Sequence, residues 1–318
     1  SVVSSTDAAS VFSILRSKNM GLKYGTASML ELESGSNDPC SYMLTAVVLS
    51  AMSGTASTGS IFYMIFAQLF YGILFGCLIA FAARFILRHM HFDIAGFDMA
   101  FVIAVALLSY TVPSIAGGNG YLSAYMVGII LGNTKIKNKK SLVNFFDGVT
   151  GLMQMLIFFL LGLLATPSQL PRVFLPALAI ALFLTLAARP LAVSAILAPF
   201  KCRMNQQALV SFAGLRGAAS IVFAIMATVN ETSTGFDVYH IVFCIVLLSI
   251  LFQGSFLPQA AKMLNMSDTE ADVMKTFSDY SEEVDLQFIR IRITKEHTWS
   301  HKAVKDISLP PDLSLIHI

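Results

Sequence analysis

Apolar stretches close to bilayer length recur along the sequence, and they constrain the fold more than any other feature. An α-helix needs about 20 apolar residues to cross a membrane. Hydrophobic residues make up 56% of the 318 residues and charged residues only 13%, against about 25% charged residues in an average soluble domain. This composition excludes a disordered protein, a coiled coil and a nucleic-acid binder, and it argues against an ordinary soluble enzyme. We predict an all-α polytopic membrane protein with spans at 1–15 (truncated), 25–52, 61–83, 97–115, 120–132, 150–165, 173–198, 206–229 and 238–257.

The loops between these spans differ in charge. Lys and Arg concentrate in alternate loops, for example in the run from Lys135 to Lys140, whereas the intervening loops contain only Arg172 as a basic residue. The positive-inside rule then places the basic loops, and the tail after residue 258, in the cytoplasm. The alternation supports the predicted order of spans.

The two ends of the sequence indicate a piece of a longer protein. The chain begins at Ser1 inside a predicted span and ends at Ile318 inside an apolar run. We predict a transmembrane domain over 1–262, a linker over 263–285, and the start of a small α+β cytoplasmic domain over 286–318, where apolar and polar residues alternate. Four widely spaced cysteines predict neither a zinc site nor a disulfide framework, and no motif calls for a cofactor.

Polar residues at bilayer depth identify the candidate functional site. Asp7 follows three hydroxyl residues, the last of them Thr6, and such residues compete with a helix for backbone hydrogen bonds. A locally unwound span is therefore predicted, as in transporters with discontinuous helices. The alternative is a polar face of Asp7 packed against a neighbouring helix.

A second acidic segment contains Glu33, Ser34, Asn37 and Asp38. On an ideal helix Glu33 and Asp38 are offset by about 140°, so both cannot point at one ion. We predict that one binds a cation while the other holds an arginine, although both could be structural. Asn37 places a neutral amide beside the acid.

Two arginines lie within apolar spans, Arg189 before Pro190 and Arg216 between glycines. Because an isolated charge in lipid is costly, each is expected to pair with an acid, and Glu33 is the predicted partner of Arg189. We assign Glu33, Arg189 and Arg216 to structural ion pairs.

A buried carboxylate suits proton-coupled cation exchange. Burial favours the protonated form of a carboxyl group, so the group holds either a proton or a small cation. Hard monovalent cations bind oxygen ligands, which carboxylates, hydroxyls and unwound carbonyls supply. The predicted ion- and proton-binding residues are Asp38, Asp7, Thr6, Asn37 and Ser34.

Four motifs together resemble the monovalent cation:proton antiporter-1 family, and within it the bacterial potassium/proton antiporters of the NhaP type. The motifs are Ser5–Ala8, Glu33–Asp38, Gly118–Tyr125 with Gly132-Asn133, and Gly214–Ala218. Ala8 stands where many relatives have proline.

The resemblance implies an inverted-repeat bundle, a homodimer and elevator-like exchange in a bacterial inner membrane, serving potassium, pH and cell-volume homeostasis. It implies that Asp38 carries the ion and the proton, that Thr6 and Asp7 help to form the site, and that Glu33 pairs with an arginine, which Arg189 matches by position. The tail resembles the start of a regulatory domain that binds a small ligand or nucleotide. Because the first helices of the family are absent, this chain alone should not transport.

Other functions stay open at this point. K⁺ is the expected substrate with H⁺, and Na⁺ or Li⁺ is the alternative, since the same oxygen ligands accept either ion. A cation channel gated by the tail is a further alternative, although no TVGYG-like filter sequence is present. A membrane sensor in which the acids are only structural is the remaining one.

Overall fold

A computed structural model of the chain describes residues 1–18, 20–54, 57–89, 96–134, 136, 139–229 and 236–268. Most of the predicted linker and all of the predicted α+β domain lie outside the described residues. Within them the chain forms one two-stranded sheet and twelve α-helices, which are α1 Ala8–Ser17, α2 Thr26–Met52, α3 Thr58–His89, α4 Phe97–Ile115, α5 Gly120–Gly132, α6 Lys139–Leu164, α7 Leu170–Phe183, α8 Arg189–Leu197, α9 Met204–Phe212, α10 Ala218–Val229, α11 Val238–Leu248 and α12 Ser255–Met263.

Five helical segments of the described chain are long and apolar enough to cross a membrane. They are Thr58–His89, Phe97–Ile115, Ser141–Leu164, Leu170–Phe200 and Val238–Met263. The predicted all-α membrane class is confirmed. Predicted spans 97–115 and 120–132 coincide with α4 and α5, whereas α3 and α6 extend beyond their predicted bounds because polar and basic residues continue each helix past the apolar stretch.

Two segments of the membrane region are not helical. Residues 4–7, here called the first break, precede α1, and residues 213–217, here called the second break, separate α9 from α10. The prediction of one continuous span over 206–229 is therefore wrong. Two glycines, which are poor helix formers, lie in the second break, and its backbone groups bond to other segments instead.

Two long helical segments contain π-helical turns. Leu184–Ala188 joins α7 to α8, and Ser249–Gly254 joins α11 to α12. The first of these turns ends immediately before Arg189 and Pro190. Because proline has no N–H to donate, it disturbs the regular hydrogen-bond ladder of a helix. The π-helical turn therefore lies next to Arg189, just before the proline.

Small residues allow α3 and α5 to approach closely. A Cβ atom added at Gly72 would lie 3.0 Å from the carbonyl oxygen of Asn119, and one added at Gly76 would lie 3.0 Å from the backbone of Ser123. Close backbone approach through small residues is typical of helix packing in membranes. This packing fixes the start of α5, where Asn119 is fully buried.

A two-stranded antiparallel sheet joins distant parts of the chain. β1, Gly21–Leu22, lies between α1 and α2, and β2, Ser267–Asp268, follows α12. Met266 is 1% exposed and packs in an apolar cluster with residues of α1, α2 and α9. The segment that leaves the bundle is thereby fixed to the loop between α1 and α2.

Candidate functional site

The two breaks contact each other directly. The backbone N–H of Asp7 donates a hydrogen bond of 2.9 Å to the carbonyl oxygen of Leu215. In return, Nη1 of Arg216 donates to the carbonyl oxygen of Ser5 over 3.0 Å. A Cβ atom added at Gly217 would lie 2.5 Å from Cβ of Asp7, so only glycine fits at this contact. Each break satisfies polar backbone groups that the other leaves without helical partners.

Helix α2 holds the first break through Ser34 and Asn37. Oδ1 of Asn37 accepts from the N–H of Thr6 over 3.2 Å, and Nδ2 donates to Oγ1 of Thr6 over 2.6 Å. Oγ of Ser34 donates to the carbonyl oxygen of Thr6 over 2.7 Å and accepts from the N–H of Ala8 over 3.2 Å. The side chains predicted as ion ligands at Ser34 and Asn37 therefore fix the backbone around Thr6.

Asp38 lies on α2 beside the first break and is half-buried. Its Oδ1 accepts a hydrogen bond from the hydroxyl of Ser5. Among the residues that the structure describes, Oδ2 of Asp38 has no hydrogen-bond partner. This arrangement leaves one carboxylate oxygen of Asp38 available to a proton or a cation.

Asp7 is held by more donors than Asp38. It caps α1, with Oδ1 accepting from the N–H of Ser10 over 3.0 Å. Oδ2 accepts from the hydroxyl of Ser10 over 2.6 Å and from Nε2 of Gln154 over 3.2 Å. A carboxylate at a helix N-terminus is stabilised by the unpaired N–H groups there. The two acids of the site thus differ in how many partners they have.

Glu33 pairs with Arg189. Nη1 and Nη2 of Arg189 donate to the two oxygens of Glu33 over 2.7 and 3.0 Å. The side chains of Arg189 and Glu33 are 9% and 29% exposed, respectively. The structure therefore brings together the two residues that the sequence pairs.

Arg216 does not have the acidic partner that the sequence led us to expect. It is 8% exposed, and in the described ranges no carboxylate lies within 4.0 Å of its guanidinium. The guanidinium donates to the carbonyl oxygen of Ser5, and the backbone N–H of Arg216 donates to Oγ of Ser249. Among the described residues, Arg216 joins the two breaks rather than forming an ion pair.

The sequence analysis assigned no site role to three side chains of this region, although two of them, Ser5 and Asn119, lie in the motifs quoted above. Ser5 bonds Asp38, Gln154 bonds Asp7, and Asn119 donates from Nδ2 to the carbonyl oxygen of Pro39 over 2.9 Å. Gln154 had a usable signal, because it is the sole polar side chain between 152 and 164. For Asn119 the signal is its place after two glycines at the start of a helix.

Comparison with known proteins identifies the fold family. The family model described as sodium/hydrogen exchanger, transmembrane, matches residues 1–262. The chain belongs to the sodium/hydrogen exchanger family. The resemblance recognised in its motifs is confirmed, and membership makes it a multi-pass membrane protein.

Relatives within the family include bacterial and archaeal proteins. The chain is 35% identical over 266 residues to the K(+)/H(+) antiporter NhaP of Alkalimonas amylolytica, covering 83% of this chain and 46% of that protein. It is 34% identical over 270 residues to the K(+)/H(+) antiporter NhaP2 of Shewanella sp. strain ANA-3, covering 82% of this chain and 46% of that protein. The chain thus spans about half the length of these relatives.

A solved structure of the family has the same fold. The sodium proton antiporter MjNhaP1 from Methanocaldococcus jannaschii at pH 8 matches with a TM-score of 0.70 and 25% identity, over 83% of this chain and 69% of that one. The fold of this chain is therefore that of a solved exchanger.

Proposed function

We propose that this chain forms the ion-binding part of an antiporter that exchanges a monovalent cation, K⁺, for H⁺. The observation that carries the proposal is the hydrogen bonding of the Asp38 carboxylate. One of its oxygens is held by Ser5, and the other has no partner among the described residues. Asp38 lies on α2 next to the first break, where backbone and hydroxyl oxygens are close by.

Exchange follows from competition at one carboxylate. Removal from water disfavours an uncompensated carboxylate, and either a bound proton or a bound cation compensates its charge. Proton and cation then exclude each other from Asp38. Obligatory exchange results if the loaded forms cross the membrane and the empty, charged form does not. Asp7 and Thr6 complete the oxygen-rich surroundings, and the transporter needs no enzymatic chemistry.

The choice of K⁺ rests on the relatives. Those from Alkalimonas and Shewanella carry the name K(+)/H(+) antiporter. The alternative, Na⁺ or Li⁺ exchange, is supported by MjNhaP1, whose title names it a sodium proton antiporter. Oxygen ligands accept either ion, so the site residues alone favour neither.

The surroundings of the transporter are also part of the proposal. We place it in the bacterial inner membrane as a homodimer, with the tail after α12 in the cytoplasm. Basic loops alternating with loops of low charge support this orientation. A small ligand or nucleotide bound by the tail, and a role in potassium, pH and cell-volume homeostasis, rest on the family resemblance.

The test measures exchange by the full-length gene product in everted vesicles with an acidic interior. K⁺, Na⁺ or Li⁺ is added, and recovery of a pH-gradient dye is followed. We expect recovery with K⁺, and its loss in Asp38→Asn although the variant is inserted normally. Asp98→Asn, the same change in the first turn of α4, is the matched control and should exchange like wild type.

The other outcomes discriminate among the alternatives. Recovery with Na⁺ or Li⁺ alone keeps the mechanism but replaces K⁺. Cation current without proton movement supports the channel. Exchange that persists in Asp38→Asn contradicts the proposal, because the carboxylate would then carry neither ion.

A further inference from the structure

Helix α6 carries one polar side chain in an otherwise apolar stretch. Between Leu152 and Leu164 the residues are apolar or glycine except for Gln154. The neighbours Met153 and Met155 are 51% and 71% exposed, as expected for a lipid-facing helix. A primary amide placed in hydrocarbon without partners costs several kcal/mol. Gln154 therefore requires partners, and the structure shows which ones it has.

The amide of Gln154 points at the cap of α1. Nε2 donates to Oγ of Ser10 over 2.7 Å and to Oδ2 of Asp7 over 3.2 Å. The hydroxyl of Ser10 in turn donates to Oδ2 of Asp7. Three groups thus form a closed triangle of hydrogen bonds. The amide nitrogen faces Asp7 because Nε2 is the donor of the primary amide, whereas its oxygen only accepts hydrogen bonds.

A second contact fixes α6 against α1. Asp147 lies seven residues before Gln154, two helical turns away and on the same face of α6. Its Oδ2 is 3.4 Å from Nη1 of Arg16, near the end of α1. Helix α6 therefore contacts both ends of α1. Asp147 contacts the C-terminal end, and Gln154 contacts the N-terminal end, next to the first break.

We propose that Gln154 is a positioning residue of the cation site and acts through Asp7, an inference that rests on the proposed function. The hydrogen bond from Gln154 occupies Oδ2 of Asp7 and holds the carboxylate at the N-terminus of α1. Asp7 then presents its carboxylate oxygens in a fixed orientation beside the first break, while Asp38 exchanges proton and cation. Loss of the bond lets Asp7 turn away, so the site binds its cation more weakly but still turns over.

The test compares cation affinity with maximal rate in the full-length gene product. Gln154→Leu removes both hydrogen bonds, and Gln154→Met does so with a side chain closer in shape. A hydrogen bond to a charged group contributes enough for about a tenfold change in binding. We expect the KM for K⁺ to rise about tenfold in both variants while the maximal rate stays within about twofold. Met155→Leu on the same helix is the control and should match wild type.

A double-mutant cycle separates positioning from general damage. If Gln154 acts through Asp7, then Gln154→Leu should raise KM far less in an Asp7→Asn background than in wild type. Unchanged KM in both inserted single variants overturns the inference while leaving the proposed function intact. A parallel fall in maximal rate and amount of folded protein at constant KM also overturns it. Absence of exchange by wild type removes the proposed function and this inference with it.

Discussion

The guanidinium of Arg189 bonds both carboxylate oxygens of Glu33, over 2.7 and 3.0 Å. The same guanidinium also donates to the carbonyl oxygens of Ser211 and Val210, each over 3.1 Å. One side chain thus connects α2, α8 and α9, and it does so immediately before the second break. The pair anchors the helix that carries Asp38.

Removing either partner of this pair should destabilise the protein strongly. Glu33→Leu leaves a largely buried guanidinium without its counter-charge, a change that costs about 3 kcal/mol or more. We expect a clear fall in the thermal midpoint of the detergent-solubilised protein. Glu33→Leu combined with Arg189→Leu should lose less than the sum of the single variants. Additive losses would show that the two side chains do not interact.

Gly214 should tolerate no larger side chain. A Cβ atom at this position would overlap the guanidinium of Arg189. Gly214→Ala must therefore shift the guanidinium of Arg189 against Glu33, and we expect less correctly folded protein than for wild type in size-exclusion profiles. Gly128→Ala is the matched control, because a Cβ atom there would meet nothing within 4 Å. Equal yields of the two variants would contradict the packing described here.

We expect Asn119 to stabilise the packing of three helices, α2, α3 and α5. Its Oδ1 caps α5 by accepting from the N–H of Leu122, its Nδ2 bonds the carbonyl oxygen of Pro39, and its N–H bonds the carbonyl oxygen of Gln68. Asn119→Ala should lower the free energy of unfolding by about 1–3 kcal/mol, since it removes a cap and leaves buried groups unpaired.

Two further variants separate the roles of Asn119. Asn119→Ser keeps a cap acceptor without adding a buried charge but loses the amide donor to Pro39, so its thermal midpoint should fall between those of Ala and wild type. Asn133→Ala, at the exposed end of the same helix, should change the midpoint little. A larger fall in the thermal midpoint for Asn133→Ala than for Asn119→Ala would contradict the role of Asn119 in joining the three helices.

Met266 should matter to stability although it lies after the end of α12. It is 1% exposed, and its N–H and carbonyl oxygen bond Ala261 and Lys23. Met266→Ala creates a cavity in the cluster under α1 and α2, which costs about 2–5 kcal/mol. The thermal midpoint should fall by several degrees, whereas Met263→Ala, at a residue 83% exposed, should leave it unchanged. Similar midpoints for both variants would place Met266 outside the core.

Much of the helical order could be predicted from the sequence, because apolar length and glycine or proline boundaries are local properties. The bounds of α4 and α5 agree with prediction for this reason. The second break was missed, because its residues are as apolar as a helix apart from Arg216. Its non-helical form is stabilised by hydrogen bonds to the first break, which no local pattern reveals.

The separate roles of the two acids on α2 could also be predicted from the sequence, whereas the bonds that surround them could not. The offset of Glu33 and Asp38 on a helix separates their roles, and the structure bonds them to different partners. The bonds of Ser34 and Asn37 to Thr6 were not predictable, because they join residues about thirty positions apart. Which oxygen atoms remain available to an ion depends on such long-range bonds.

The hydrogen bonds between the two breaks also have a consequence for biosynthesis. Arg216 and the carbonyl of Ser5 are 211 positions apart in the chain. At translation rates of about 5–20 residues per second, about 10–40 s pass between their syntheses. Throughout that interval the nascent first break has neither Arg216 nor Leu215 as a partner. The proposed ion site therefore assembles only after α9 and the second break have been made, and a nascent chain arrested before α9 leaves polar backbone unpaired.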